Sequence, residues 1–295
     1  MPDTRGTIHL EDGAILEHRA FAGNQHIVRV AAPAAAARAT PGTFAHVGCD
    51  PTVPMRRPLS IMRADAAAGW LEFLYKPIGP GLAKLTRRKV GERLSILAPI
   101  GNGFALDAAR PSVLAIGGGV GIPPMVFLAQ QLRETSRSEL VVLMGSELPF
   151  PFELVESKLD VGANVAKASH GLELLEGWRV PSRLASNAGL PGAYAGYVTD
   201  LARDVLAARD QEALRKTQVV ACGPEPMLRA AAKLAASFEL PCQVALEEFM
   251  ACGVGGCAGC TVRVRTASGD AMKRVCVDGP VFDAATVYAL TANRG

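Results

Sequence analysis

Four of the chain's seven cysteines stand near its end as Cys252, Cys257, Cys260 and Cys276, a C-x4-C-x2-C-x15-C spacing. The first two gaps match those of plant-type [2Fe–2S] sites, in which four thiolates hold two irons. Gly253, Gly255, Gly256 and Gly259 are interleaved with them. Glycine reaches positive φ and lets backbone N–H groups close on a bulky cluster. A structural zinc site with four cysteine ligands is the competing reading. Such sites usually draw on two close cysteine pairs, whereas here three clustered thiols are joined by a distant one. A [2Fe–2S] cluster carries one electron, so the rest of the chain should hold a source and a destination for electrons.

The length of 295 residues allows about two domains and a further small module. With 49% apolar and 20% charged residues, the composition is that of a core-rich folded protein. A net charge of +3 argues neither for nucleic acid nor for an acidic membrane as partner. Met1 to Gly13 is polar and charged, so no export leader is expected. The uncharged stretch Ser112 to Leu132 carries four glycines and Pro123-Pro124, which makes it a poor membrane span. An odd cysteine count, with four grouped as metal-type ligands, suits a reducing cytoplasm better than a disulfide framework.

From Thr4 to about Leu106, short β-type runs such as His26–Val30, Leu71–Tyr75 and Arg93–Leu97 alternate with Gly and Pro breaks. That pattern predicts a sandwich or barrel. Arg57-Pro58-Leu59-Ser60 sets a cation, a rigid kink and a hydroxyl at the head of one strand. Arginine can pair with a pyrophosphate, and a small hydroxyl can bond the edge of a flat heteroaromatic ring. Leu74-Tyr75-Lys76 is followed by Gly79-Pro80-Gly81-Leu82, read as a tight turn whose N–H groups can approach phosphate. Alone, each segment reads better as a plain surface strand and turn; their order ahead of the next segment is what favours a flavin site.

Pro111–Ile116 reads as a strand, Gly117-Gly118-Gly119-Val120-Gly121 as a loop and Met125–Arg133 as a helix. Strand, glycine loop and helix present a helix N-terminus to a pyrophosphate, although the loop is not G-x-G-x-x-G. Leu140–Gly145 reads as the next strand, and Glu147 beyond it can accept bonds from ribose hydroxyls and repel a 2′-phosphate. This favours NADH over NADPH. Gln218–Cys222, Gly223-Pro224 and a helix from Glu225 to about Phe238 repeat the theme. Cys222 is either a neighbour of the nicotinamide ring or a buried structural thiol. Cys49 and Cys242 follow no ligand spacing, the five histidines form no metal or triad pattern, and nothing resembles a serine nucleophile elbow.

In this order the pieces resemble the ferredoxin–NAD(P) reductase superfamily, and within it the electron-transfer subunits of two-component, NAD-dependent dihydroorotate dehydrogenases. The resemblance spans nearly the whole chain. It is carried by Arg57–Ser60, Gly117–Pro124, Cys222-Gly223-Pro224, the cysteine loop and Arg274–Phe282. It implies a β-barrel flavin domain over 1–107, an α/β NAD-binding domain over 108–240 and a small C-terminal [2Fe–2S] module over 241–295. It further implies FAD contacts at Arg57, Pro58, Leu59, Ser60, Leu74, Tyr75, Lys76, Gly81 and Leu82. NAD contacts are expected at Gly118, Gly119, Gly121, Glu147, Cys222, Gly223 and Pro224, and cluster ligation by Cys252, Cys257, Cys260 and Cys276. The chain departs from the family in having Leu82 where Thr is usual, and Thr43 where Gln is usual.

The function so implied is a relay. FAD exchanges two electrons with NAD and single electrons with the cluster. The cluster leads to an FMN-containing dihydroorotate dehydrogenase catalytic subunit, in a heterotetramer that serves pyrimidine biosynthesis. No pyrimidine site and no catalytic side chain are expected in this chain. The alternatives are a reductase subunit of a hydrogenase- or transhydrogenase-type complex, and a non-enzymatic redox-sensing or metal-binding module on the same fold.

Overall fold

The structure is a computed structural model that describes residues 6–133, 139–165 and 168–288. Its first part is a closed antiparallel barrel. The strands are β1 (His9–Phe21), β2 (Gln25–Ala31), β3 (Phe44–Gly48), β4 (Arg57–Asp65), β5 (Trp70–Tyr75) and β6 (Arg93–Ile100), in the order β1-β2-β5-β4-β3-β6. Alternate residues point inward, as a pleated strand requires. Val28 and Val30, Ala45 and Val47, Leu59 and Ile61, Leu71 and Phe73, and Leu94 and Ile96 fill the barrel. The alanine-rich segment after β2 forms the short helix α1 (Pro33–Ala36).

The segment Gly79-Pro80-Gly81-Leu82 is not a tight turn. It opens the helix α2 (Gly79–Leu85), with proline in the first turn, where its fixed φ suits a helix and its missing N–H costs nothing.

The second part is built on β7 (Ser112–Gly118), the helix α3 (Ile122–Leu132) and β8 (Glu139–Gly145). A small antiparallel pair, β9 (Leu154–Glu156) and β10 (His170–Leu172), is followed by α4 (Glu173–Gly177). Next come β11 (Ser182–Ser186), β12 (Tyr194–Ala195), α5 (Val198–Ala207), α6 (Gln211–Arg215), β13 (Thr217–Cys222), α7 (Glu225–Ser237) and β14 (Cys242–Ala245). The sheet order is β12-β11-β8-β7-β13-β14, all parallel. Order reverses at β7, which has β8 on one side and β13 on the other. The carboxyl ends of β7 and β13 therefore flank the topological switch point, where open α/β sheets bind ligands.

α3 begins at Ile122, just ahead of the two prolines expected to start it, and both fit within its first turn. It is apolar on all sides and buried from Ile122 to Ala129, as befits a helix covered on both faces. One side lies on the sheet with Val113, Ala115 and Val142; Ile27, Met62 and Leu74 of the barrel close the same core. Gln130 ties the two parts further, accepting from Ala64 N at 3.2 Å and donating to Ala64 O at 2.7 Å.

The last part is an excursion from that same sheet. The hairpin β15 (Thr261–Thr266) and β16 (Gly269–Arg274) leaves after β14. The chain then returns as β17 (Val281–Asp283), antiparallel to β14, and ends its described course in α8 (Ala284–Tyr288). The expected module of 241–295 thus includes two strands of the middle sheet, and its last residues, 289–295, lie outside the described set. Val244 in β14 and Ala284 and Tyr288 in α8 pack into the nucleotide-side core, which is why they belong there.

Candidate functional site

The x15 gap of the cysteine motif is the β15–β16 hairpin. Thr261 pairs with Arg274 at its base, and Val275 N donates to Cys260 O at 2.9 Å. The hairpin so closes Cys260 onto Cys276, with their sulfurs 3.3 Å apart and both residues 2% exposed. Burial and the Cys260 thiol beside it push the Cys276 thiol up to about 12. Cys252 and Cys257 lie outward on the loop, and Cys257 is exposed. Burial raises the Cys252 pKa, but backbone N–H groups of Val254, Cys257 and Gly256 and the Cys257 side chain outweigh it, bringing the thiol down to about 7. Val254 N donates to Cys252 Sγ, and Gly259 N to Cys257 Sγ, both at 3.5 Å.

Among the described residues, no three His, Cys, Asp or Glu side chains gather tightly enough for a single ion. The thiols stand instead as two pairs, Cys252 with Cys257 and Cys260 with Cys276. A two-iron cluster held by four thiolates needs two per iron, so this donor set fits it. The aimed N–H groups are the contacts that stabilise negative charge on sulfur.

Arg274 fastens the loop, a role its place in the sequence did not disclose. Its Nη1 donates to Gly255 O at 3.0 Å, and its backbone N donates to Asp278 Oδ2 at 2.7 Å. Gly255 has φ +79°, and a Cβ there would stand 2.4 Å from Val277 Cγ2, so only glycine fits. The barrel supports the loop from below: Phe44 packs with Cys260, Val275 and Cys276. Asn102 Nδ2 donates to Val277 O at 3.0 Å.

The flavin-type motif lies on the neighbouring strands. β3 and β4 pair Phe44 with Ser60, Ala45 with Leu59, His46 with Pro58 and Val47 with Arg57. Arg57 reaches over α2: a Cβ on Gly81 would be 2.9 Å from Arg57 Nε, so the two expected contact points do meet. Arg57 Nη1 donates to the carbonyls of Met55 and Arg56. The expected Leu59, Leu74 and Tyr75 contacts are left to the main chain. All three side chains are buried, and Tyr75 hydroxyl bonds His18 Nε2 at 2.8 Å, so only their backbones can face a ligand. Ser60 and Lys76 are half-buried. Leu82 packs against the barrel core and offers no hydroxyl where the family usually has one. Thr43 uses its hydroxyl locally, donating to Thr40 O at 2.6 Å.

At the switch point, Gly118 and Gly121 meet the Cys222–Pro224 turn. A Cβ on Gly121 would lie 2.3 Å from Cys222 O, and one on Gly118 would lie 2.4 Å from Met227 Sδ. Gly119 takes φ +54° in the 3-10 turn that starts α3. Cys222 is buried, and burial, helped by the Glu247 charge, pushes its thiol up to about 12. It is a neutral thiol at neutral pH. Glu147 is exposed two residues past β8. Cys49 and Cys242 are buried and held protonated, at about 11 and about 12, mainly by burial.

This geometry has clear counterparts. Residues 247–288 match the family model described as the iron–sulfur cluster binding domain of dihydroorotate dehydrogenase B. The electron transfer subunit of dihydroorotate dehydrogenase B (NAD(+)) from Geobacillus sp. (strain WCH70) is 33% identical over 283 residues, spanning 94% of this chain and 98% of the relative. The chain belongs to this family. The Bacillus caldolyticus electron transfer subunit is 39% identical over 254 residues, covering 84% of this chain and 86% of its own. Among solved structures, a chain of the NADH-dependent reduced ferredoxin-NADP oxidoreductase superposes with TM-score 0.74 at 22% identity, over 93% of this chain and 89% of that one. Phthalate dioxygenase reductase does so with TM-score 0.57 at 16% identity, over 90% and 76%. These two likenesses establish the ferredoxin reductase-like fold for this member of the family.

Proposed function

We propose that the chain passes electrons between NAD and an FMN-containing, dihydroorotate-oxidising partner, through FAD and a [2Fe–2S] cluster. The observation that carries this reading is the contact between the two cofactor regions. Phe44, opposite Ser60 of the flavin-type motif, belongs to the same buried cluster as Cys260 and Cys276. Bound at these places, FAD exchanges electron pairs with NAD and single electrons with the cluster.

The chain's own residues do the placing. Arg57, above Gly81 at the start of α2, clamps the flavin pyrophosphate, and the Ser60 hydroxyl holds a ring edge. Backbone groups of Leu74, Tyr75 and Lys76 line the same face. Gly118, Gly119 and Gly121 admit the pyrophosphate of NAD to the end of β7, and Glu147 holds its ribose hydroxyls in preference to a 2′-phosphate. Cys222 and the Gly223-Pro224 turn flank the nicotinamide with a neutral, polarizable thiol. Cys252, Cys257, Cys260 and Cys276 hold the cluster, with the first pair facing outward. Phe249 is 95% exposed and Val254 51% beside them, an apolar rim on which the catalytic subunit docks.

By this reading the barrel forms an FAD domain over about 1–107, the sheet an NAD domain, and the cluster module spans the segment between β14 and β17. Among the described residues, no helix is long and apolar enough to cross a membrane. All seven cysteines are free, which supports a cytoplasmic setting. Co-expression with a dihydroorotate dehydrogenase catalytic subunit tests the proposal. A stable complex that reduces NAD with dihydroorotate is expected; a partner carrying nickel or several clusters would contradict it.

A further inference from the structure

His46 has no place in the relay as described, yet it lies between its two cofactor regions. It is 1% exposed on β3, with its backbone opposite Pro58 of the flavin-type motif. Ala45 and Val47 point into the barrel, so His46 shares the outer face with Phe44, which is buried in one cluster with Cys260 and Cys276. There it meets the cysteine loop. A Cβ on Gly253, the residue after Cys252, would lie 2.8 Å from His46 Nδ1.

The other ring nitrogen, Nε2, is buried and has no partner in the protein. Arg56 Nε shares that condition, and the Arg56 charge acts on the His46 ring. An unpaired buried donor costs about 1–3 kcal/mol, and few are tolerated in a native structure. The Arg56 N–H is a donor, and His46 Nε2 is one in the tautomer protonated there, so the two together fit an acceptor that the polypeptide does not supply. A side chain needed only to fill space between β3 and Gly253 could be aliphatic at no such cost.

We infer that His46 donates a hydrogen bond from Nε2 to a sulfur of the group held by Cys252, Cys257, Cys260 and Cys276, and so raises its reduction potential. The inference rests on the cluster reading given above. A donor to sulfur stabilises the more negative, reduced state more than the oxidised one, and hydrogen bonding is one of the main controls on cluster potential. The bond also gives the cysteine loop a defined seat on the barrel strand next to the flavin-type motif.

Potentiometric titration of the iron-loaded chain, followed by paramagnetic resonance, tests this on wild type, His46→Leu and His46→Gln. Leucine keeps volume without a donor; glutamine keeps an N–H near the position of Nε2. His46→Leu should hold wild-type iron and FAD but show an about tenfold smaller ratio of reduced to oxidised cluster at a fixed applied potential, about 59 mV for one electron. His46→Gln should titrate close to wild type. An unmoved cluster potential in His46→Leu overturns the inference. A shift of the flavin couple alone also does, since it assigns the acceptor to FAD. If His46→Leu fails to retain iron, His46→Met serves as the donor-free variant. A wild-type chain with no [2Fe–2S] signal brings down the cluster reading itself.

Discussion

The cysteine loop and the glycine loop at the end of β7 are both cofactor sites by our reading, but they are built from opposite materials. In the first, the chemistry sits in four side chains, and glycines only shape the path between them. In the second, it sits in the backbone, and side chains matter by their absence. A Cβ at Gly121 would stand 2.3 Å from a carbonyl oxygen, whereas a change at Cys257 meets open solvent. The first site should therefore fail by losing an atom, the second by gaining one.

The largest effect should come from Cys257→Ser. The residue is exposed, so folding is untouched, and iron content should fall by about tenfold or more with FAD retained. Iron and flavin assays on the purified chain check this; loss of FAD together with iron would show that the two sites are not separable. Next in size is Gly121→Ala. Its Cβ would face Cys222 O and Gly223 N, both backbone, so the loop must shift by an ångström or so. Misplacement on that scale should lower kcat/KM for NADH by about 100-fold.

Gly118→Ala sharpens the contrast. Its nearest neighbour is Met227 Sδ on a flexible side chain, so a loss under about tenfold is expected in the same assay. Equal damage from both substitutions would argue against a backbone-built site at Gly121.

The difference between the two sites also decided what could be read from the sequence. Cysteine spacing survives as text, because each ligand is a side chain with one dominant chemistry. The glycine loop did not match G-x-G-x-x-G and became a nucleotide site only through its place between a strand and a helix. The barrel was legible because β2, β5 and β6 stand in the sequence as short β-type runs between Gly and Pro breaks. β1 was not picked out, since its exposed positions mix Leu10 and Leu16 with Asp12 and Arg19, and its register shifts between Ile15 and Glu17.

Side-chain direction was the least legible feature. Tyr75 stands in the expected flavin segment, yet its ring faces the barrel interior and its hydroxyl bonds His18, 57 positions away. The pairing of β14 with β17 across the whole cysteine excursion was not legible either, since a long-range contact leaves no local signature. The bond from Arg274 to Gly255 and the meeting of His46 with Gly253 were hidden for the same reason, since each joins residues far apart in sequence.

The smallest expected effect is one of pH. In the metal-free chain the Cys252 thiol, lowered to about 7, is mostly thiolate above neutrality and mostly thiol below it. Its alkylation by iodoacetamide, mapped by mass spectrometry, should rise through about pH 7 and level off near pH 8.5. Cys276, held at about 12 and buried, should stay protected over that range while the chain is folded. Matching profiles for the two would remove the distinction between outward and inward thiols.

The central claim is that electrons pass within this one chain from NADH to the cysteine-held cluster by way of FAD. Anaerobic addition of NADH to the purified, iron-loaded chain tests it most directly, with the visible spectrum and paramagnetic resonance recorded on the same sample. The flavin absorbance should bleach and a rhombic signal of a reduced [2Fe–2S] centre should appear. Stoichiometric zinc with neither iron nor flavin, or a bleached flavin with a cluster that stays oxidised, would contradict it.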